Sequence, residues 1–274
     1  MANDLRNLMV VVLDSLRYDS WVKAAPRELG RLGSVERRWS YATWTAPSHY
    51  NLLSGLLPHE SPPNVLASDY YKRDFARYAE RLGAPDINFG SMLPGLWLPT
   101  FLRSRGYRTV ARVSMPVLNE ATLISTGFDD YALMPRHNDM ASMLLTTNLV
   151  EEPFFCMLNV GETHYPYALP DEDPSRWPRV SGLHGVLRHL DEPAAEEVHF
   201  TDTEFKEMHE RQINAVTYLD QVFATLFDAL PDNTWVVVTA DHGELFGEDG
   251  YFGHGPIMHP KVLEVPFVEG PVPR

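Results

Sequence analysis

The chain has only one cysteine among its 274 residues, which excludes a framework of intrachain disulfides. That residue, Cys156, lies in an apolar run, where a buried thiol with a packing role is expected. Long apolar runs are lacking as well. The longest near the N-terminus covers residues 8–13, far fewer than the ~20 that span a bilayer and too few for the core of a signal peptide. We therefore expect no membrane segment and a cytoplasmic location.

Basic side chains are also scarce. The sequence has 23 Lys and Arg residues against 37 Asp and Glu residues, so its formal net charge is −14. Because binding to a nucleic-acid backbone needs Lys and Arg, this balance argues against a nucleic-acid partner, and the acidic field would repel any large polyanion. Apolar residues make up 44% of the chain, which indicates an ordinary globular protein. A small anionic ligand stays compatible with this composition. The composition predicts no particular oligomeric state.

Continuous apolar runs are the strongest secondary-structure signal, and they are typical of buried parallel strands. The runs cover residues 8–13, 154–158 and 234–239 and, more weakly, 109–113 and 262–268. Pro266 interrupts the last run and indicates an edge strand there. Helical patterns cover residues 70–82, 98–105 and 203–230. Strands that alternate with helices predict an α/β fold with a mostly parallel sheet.

The chain offers no clear domain boundary. We therefore expect a single domain over residues 1–274, with a probable loop excursion at 169–193 that is rich in Pro, Asp and His. Thr201 or Thr203 is the expected N-cap of the long helix that follows this excursion.

Polar side chains suited to a metal follow three of the predicted strands. They are Asp14 after the first, His164 after the second, and Asp241 and His242 after the third. Because the carboxyl ends of parallel strands lie along one edge of a sheet, we expect these side chains to converge. Carboxylates and imidazoles from separate strand ends are the usual ligands of divalent-metal sites.

A further helix is predicted to begin near Thr45, since Pro47 suits its first turn and Gly55 suits its end. At a helix start, unpaired backbone N–H groups and the helix dipole favour an anion. A metal could deprotonate the Thr45 hydroxyl there for attack on phosphorus or sulfur, with Thr43 as the next candidate. Thr45 could also be no more than a helix cap, and the residue alone does not decide between these roles.

Several short motifs follow one another along most of the chain. They are Asp14-Ser-Leu-Arg17, Thr45-Ala-Pro47-Ser48-His49, Gly127-Phe128-Asp129, His164-Tyr-Pro166, Tyr218-Leu-Asp220, Asp241-His242-Gly243-Glu244 and Gly253-His254-Gly255. In this order and spacing they resemble the alkaline phosphatase superfamily, and within it the sulfatase-like branch of type I sulfatases, phosphonate monoester hydrolases and lipoteichoic acid synthases. The resemblance implies an alkaline-phosphatase-like, three-layer fold in which helices flank a mostly parallel central sheet.

The resemblance also implies a role for each matching residue. Thr45 would be the nucleophile, and His164 and His254 would contact the substrate or assist the leaving group. The metal ligands would be Asp14, Thr45, Asp241 and His242. In two-metal relatives, His254 would bind the second metal.

The sequence departs from the type I sulfatases at the nucleophile. Those enzymes carry Cys or Ser, oxidised to formylglycine, in a Cys/Ser-x-Pro-x-Arg motif, whereas here Thr45 stands at the first position and His49 replaces the arginine. Threonine cannot become formylglycine, and threonine nucleophiles occur in branches that transfer phosphoryl or phosphodiester groups. The resemblance therefore implies hydrolysis of a small anionic phosphate ester, a phosphodiester or phosphomonoester, through a covalent phospho-threonine.

The metal count and the alternatives follow from further departures. The Asp-x-x-x-His ligand set of two-metal members is not completed after Asp220, so one divalent ion is expected and a second is not. Imidazole is a poor ligand for calcium, so Mn or Zn is favoured over Mg or Ca. Hydrolysis of a sulfate ester and a catalytically inactive, anion-binding role both stay open. A membrane transferase is disfavoured. The lipoteichoic acid synthases carry transmembrane helices before the catalytic domain, whereas we expect no membrane segment in this sequence.

Overall fold

The computed structural model describes residues 5–60, 67–88, 97–178, 201–255 and 257–274. The strands in these residues are β1 (Asn7–Leu13), β2 (Glu36–Trp39), β3 (Arg108–Val113), β4 (Asp130–Leu133), β5 (Phe154–Val160), β6 (Thr234–Thr239), β7 (Leu245–Phe246), β8 (Phe252–Gly253) and β9 (Glu264–Pro271). The α-helices are α1 (Tyr18–Ala24), α2 (Thr45–Leu53), α3 (Ala67–Leu82), α4 (Leu98–Ser104), α5 (Met140–Thr146), α6 (Asp202–Ala229) and α7 (Pro260–Leu263).

Seven strands form one sheet in the order β2-β9-β6-β1-β5-β3-β4, and β7 and β8 form a separate hairpin. The pairs β1–β5, β1–β6, β3–β5 and β3–β4 are parallel, whereas β9 runs antiparallel to both β6 and β2. The predicted mostly parallel α/β sheet is therefore confirmed. The central strand β1 lies between β5 and β6, so the three strands with the strongest apolar signal are neighbours.

The prediction that the strand containing Pro266 lies at a sheet edge is wrong, because β9 lies between β6 and β2. The two ladders of β9 overlap only at Phe267: β2 pairs with residues 264–267 and β6 with 267–271. Pro266 therefore lies outside the β6 ladder, where its missing N–H costs no bond to that strand. Its carbonyl accepts a hydrogen bond from Thr239 Oγ1 at 2.8 Å.

Helices cover both faces of the sheet, in agreement with the three-layer prediction. Side chains of β1 alternate between two cores, with Met9, Val11 and Leu13 in one and Leu8, Val10 and Val12 in the other. The first core is completed by apolar residues of α1, α5 and α6, and the second by α2, α3 and α4. Every residue of β1 is buried, which explains why its sequence is a continuous apolar run.

The long helix α6 begins at Asp202, and its N-cap is Thr201 rather than Thr203. Thr201 and Glu204 form a capping box, in which each side chain accepts a hydrogen bond from the other residue's backbone N–H. Part of the predicted excursion precedes this helix. Residues 169–178 contain a short helical turn at Pro174–Arg176, and residues 179–193 lie outside the described part of the chain.

No helix in the described ranges combines the length and the apolar character needed to cross a membrane.

Glu162 follows β5 and caps α5 from a buried position. Its Oε1 atom accepts a hydrogen bond from the Met140 N–H at 2.8 Å, and its Oε2 atom is buried without a hydrogen-bond partner. Burial raises the pKa of Glu162 to about 7, from an ordinary value of 4.5.

Replacing Glu162 by glutamine is expected to remove a pH dependence of stability. Because the pKa of Glu162 is higher in the folded chain than in the unfolded chain, the protonated carboxyl contributes fully to the free energy of unfolding below pH 4.5. This contribution is lost as the pH rises through about 7. The two pKa values differ by the equivalent of about 3 kcal/mol of unfolding free energy. Urea unfolding should give equal stability for wild type and Glu162→Gln near pH 4.5, and a more stable variant near pH 8.

The exposed Glu210→Gln variant is the matched control for this experiment, because it makes the same chemical change on the surface of α6. A stability difference between Glu162→Gln and wild type that is the same at both pH values would contradict the assigned pKa.

Candidate metal and nucleophile site

The predicted site residues come from the carboxyl edge of the sheet. Asp14 follows β1, Asp241 and His242 follow β6, and Thr45 is the first residue of α2. Since β6 and β1 are paired in parallel, with Val12 opposite Thr239, their following residues leave the sheet side by side. The structure therefore brings these four residues together, and all of them are buried.

The Thr45 hydroxyl lies between the ligand atoms. Its Oγ1 atom is 3.3 Å from His242 Nε2 and 3.5 Å from Asp14 Oδ1. His242 Nε2 is in turn 3.4 Å from Asp241 Oδ2 and 3.9 Å from Asp14 Oδ1. Within the described residues, Asp14, Asp241 and His242 are the one group of three side chains whose ligand atoms all lie within 4.8 Å of one another.

The protonation of His242 suits a metal ligand. Its Nδ1 atom lies 2.9 Å from the Gly243 carbonyl oxygen, which can only accept, so Nδ1 carries the proton and Nε2 keeps its lone pair. Burial lowers the pKa of His242 well below its usual value, which favours this neutral form. The backbone at residue 243 lies close to the backbone at Lys261. Only glycine fits there, because a Cβ would collide with the Lys261 carbonyl oxygen.

The two aspartates are an unstable pair without a cation. Both are buried, and one oxygen of Asp241, Oδ2, has no hydrogen-bond partner. Its other oxygen, Oδ1, accepts from the N–H groups of Ser15 and His242 at 3.1 and 2.9 Å. Burial and the neighbouring Asp14 carboxylate raise the pKa of Asp241 well above its usual value. The unpartnered oxygen and the adjacent anions fit a divalent cation, which would supply both the missing partner and the missing positive charge.

Asp14 is held in place by residues for which the sequence predicted no role. Its Oδ2 atom accepts a hydrogen bond from Asn159 Nδ2 at 2.8 Å, and the Asn159 Oδ1 atom accepts from the N–H groups of Ser114 and Met115. Burial opposes ionisation of Asp14, but the nearby His164 imidazole and the Asn159 amide outweigh it, so the pKa of Asp14 lies below the usual value. The residue after Asp14, Ser15, adopts a left-handed conformation with φ of 61°, and its N–H donates to Asp241.

The other two predicted catalytic histidines lie beside the ligands. The His254 ring centroid is 4.3 Å from that of His242 and 5.5 Å from that of His164. His164 is partly exposed, and the His254 side chain is 14% exposed, so both can be reached from solvent at the site. All six residues predicted for the site therefore converge.

His49 and Gln212 are further buried residues at the site. The His49 Nδ1 atom lies 2.8 Å from the Thr45 carbonyl oxygen and 3.6 Å from Asp241 Oδ2. Gln212 Nε2 donates to the carbonyl oxygens of Ser15 and Thr163, so α6 fastens the segments that follow β1 and β5. A signal for Gln212 was present in the sequence, because a polar residue there interrupts the apolar stripe of a long helix.

A family model described as Sulfatase matches residues 6–268. The chain belongs to the sulfatase family. A comparison with curated protein sequences finds no match. Family membership confirms the resemblance drawn from the motifs.

Solved structures show the same fold at low sequence identity. The chain is similar to the C-terminal periplasmic domain of EptC from Escherichia coli in complex with Zn, with 16% identity, a TM-score of 0.58, and coverage of 99% of this chain and 74% of that one. It is also similar to the 2-O GAG sulfatase BT1596, with 14% identity, a TM-score of 0.59, and coverage of 97% and 64%. It is similar as well to a protein in the alkaline phosphatase superfamily from Vibrio parahaemolyticus, with 14% identity, a TM-score of 0.50, and coverage of 100% of this chain and 62% of that one. The chain thus spans less than two thirds of the last two proteins.

Proposed function

We propose that this member of the sulfatase family is a metal-dependent hydrolase of a small phosphate ester, with Thr45 as the nucleophile that becomes phosphorylated. One observation carries the proposal: the Thr45 hydroxyl is buried at a helix start, 3.3 Å from His242 Nε2 and 3.5 Å from Asp14 Oδ1. A helix cap alone would not need two carboxylates and a neutral imidazole around it. The family match supports an enzyme that acts on esters of phosphoric or sulfuric acid.

Asp14, Asp241, His242 and the Thr45 oxygen would hold the divalent cation. Such an ion lowers the pKa of a bound hydroxyl and neutralises charge on the ester oxygens. The donor set of carboxylates, imidazole and hydroxyl suits Mn or Zn. The complex of EptC with Zn is compatible with this choice.

In the first step, Thr45 Oγ1 loses its proton to solvent and bonds to phosphorus as the bond between phosphorus and the leaving oxygen breaks. His164 or His254 supplies a proton to that oxygen. Backbone N–H groups at the start of α2 would stabilise the anionic phosphoryl oxygens. In the second step, water attacks phosphorus and gives a proton to the same histidine, the bond to Thr45 Oγ1 breaks, and Thr45 Oγ1 takes up a proton that regenerates the hydroxyl.

Two features bear on the substrate. The formal charge of −14 favours a small ester over a polyanion. A threonine in place of the sulfatase Cys or Ser favours a phosphate ester. Sulfate-ester hydrolysis is the second candidate, because it is the reaction in the name of the matching family and in that of BT1596.

The test compares a chromogenic phosphodiester, a phosphomonoester and a sulfate ester, each with metal-stripped protein and with added Mn, Zn, Mg or Ca. We expect turnover of a phosphate ester only with added metal, and a phosphorylated peptide containing Thr45 after rapid acid quench. Turnover of the sulfate ester alone would favour the second candidate. Tight binding of phosphate without turnover of any ester would indicate an inactive, anion-binding member and overturn the proposal.

A further inference from the structure

Glu244 is a buried carboxylate that the proposed reaction does not use. It is two residues after His242, it is 1% exposed, and both of its oxygens have partners. Its Oε1 atom lies 2.9 Å from His254 Nδ1, and its Oε2 atom accepts a hydrogen bond from the Tyr167 hydroxyl at 3.1 Å. The Glu244 backbone carbonyl accepts from the Arg17 guanidinium at 3.3 Å. Glu244 is thus fixed from three parts of the chain.

The short hairpin of β7 and β8 explains why Glu244 and His254 meet. Leu245 pairs with Gly253 and Phe246 with Phe252 in antiparallel register. Glu244 precedes β7 and His254 follows β8, so the two residues occupy the next facing positions of this ladder. The four paired residues of the hairpin therefore place the Glu244 carboxylate against the Nδ1 edge of the His254 ring.

The contact decides which nitrogen of His254 faces the reaction. An ionised carboxylate can only accept, so the proton of the contact lies on Nδ1, and Nε2 is the nitrogen left for a substrate. The ring stands next to His242, at 4.3 Å between centroids, and His242 Nε2 lies 3.3 Å from the Thr45 hydroxyl oxygen. Without Glu244, the ring could rotate or take the other tautomer, in which Nε2 carries the only proton.

We propose that Glu244 is a positioning residue, held by the Tyr167 hydroxyl, which fixes the orientation and tautomer of His254 so that Nε2 donates a proton to the leaving oxygen. The imidazolium ring gives the Nε2 proton to that oxygen as the bond between phosphorus and the oxygen breaks, and it is left as the neutral tautomer in which Nδ1 keeps its proton. The catalytic part of this inference rests on the proposed function. The tautomer does not, because it follows from the contact alone.

Nitrogen-15 NMR of histidine-labelled protein loaded with diamagnetic Mg²⁺ tests the tautomer directly. The His254 signals, assigned with His254→Ala, should show a protonated Nδ1 in wild type. Glu244→Ala should shift them toward protonation at Nε2, and Glu244→Gln should keep the wild-type pattern, because its amide oxygen can still accept from Nδ1. Wild-type signals that persist in Glu244→Ala would overturn the positioning role, whether or not the protein turns over any ester.

Kinetics then test the catalytic part. General acid catalysis supplies about 10²–10⁴-fold, and it matters most for poor leaving groups. We expect Glu244→Ala to lower kcat for an alkyl phosphate ester by about 10²-fold, to change kcat for the nitrophenyl ester much less, and to add nothing to His254→Ala in the double variant. Tyr167→Phe should act in the same direction with a smaller effect. Equal losses for both leaving groups, or additive losses in the double variant, would overturn the inference.

Discussion

Thr45→Ala is expected to abolish metal-dependent ester hydrolysis, with a loss of about 10⁴-fold or more in kcat. Removing a nucleophile from a preorganised site typically costs this much, because the remaining groups cannot form the covalent intermediate. The Thr45 hydroxyl is the one that contacts His242 Nε2 and Asp14 Oδ1, at 3.3 and 3.5 Å. Steady-state turnover and the acid-quenched peptide map measure the effect together.

Thr43→Ala is the matched control, because Thr43 is also buried and lies two residues earlier on the same segment. We expect it to keep metal-dependent turnover. Thr45→Ser should keep part of the activity and give a phosphorylated serine, because it preserves a hydroxyl at the start of α2. Unchanged turnover in Thr45→Ala would refute the nucleophile assignment, and a loss confined to Thr43→Ala would transfer the role to Thr43.

Asp241→Asn is expected to have opposite effects on the metal-free and the metal-loaded protein. Without metal, the substitution removes one of two adjacent buried carboxyl groups and should raise the melting temperature. With metal, it removes a charged ligand and should weaken binding by more than the 10–100-fold that loss of a second-sphere partner costs. Saturating metal at 100 times Kd stabilises a folded protein by about 2.7 kcal/mol, so the thermal shift on metal addition should largely disappear.

Calorimetric titration of each divalent ion and thermal unfolding, with and without metal, measure both effects. The exposed Asp228→Asn on α6 is the control and should change neither quantity. An undiminished thermal shift in Asp241→Asn would contradict the assignment of Asp241 as a ligand.

Much of the sheet could be predicted because its strands are buried on both faces. The run at 234–239 matches β6 at both ends, and β1 and β5 extend the predicted runs by no more than two residues. In contrast, β2 carries Glu36, Arg37 and Arg38 at an edge, and β4 is only partly buried, so neither produces an apolar run. Pro266 was misleading because the sequence cannot show that two ladders meet within one strand.

The convergence of the candidate metal ligands could be predicted from the same strands, because a parallel sheet brings the ends of neighbouring strands together. The supporting residues could not. Asn159 is the sixth residue of a buried strand, and nothing in the sequence indicates that its amide turns toward Asp14. Tyr167 and Glu244 are separated by 77 positions, and their contact depends on how two loops fold over the sheet edge. Contacts between loops depend on tertiary packing, which local patterns do not encode.

The adjacency of β6, β1 and β5 separates what can vary in this protein from what cannot. The spacing of Asp14, Asp241 and His242 is set by hydrogen bonds between neighbouring strands, about 4.8 Å apart, and by the Gln212 amide, which donates to the segments after β1 and β5. Residues 169–178 contribute none of these hydrogen bonds. New ester specificities could therefore evolve by exchanging residues 169–178 while the candidate metal ligands keep their spacing, and a chimera that takes this segment from a sulfatase should bind a divalent ion as the wild type does.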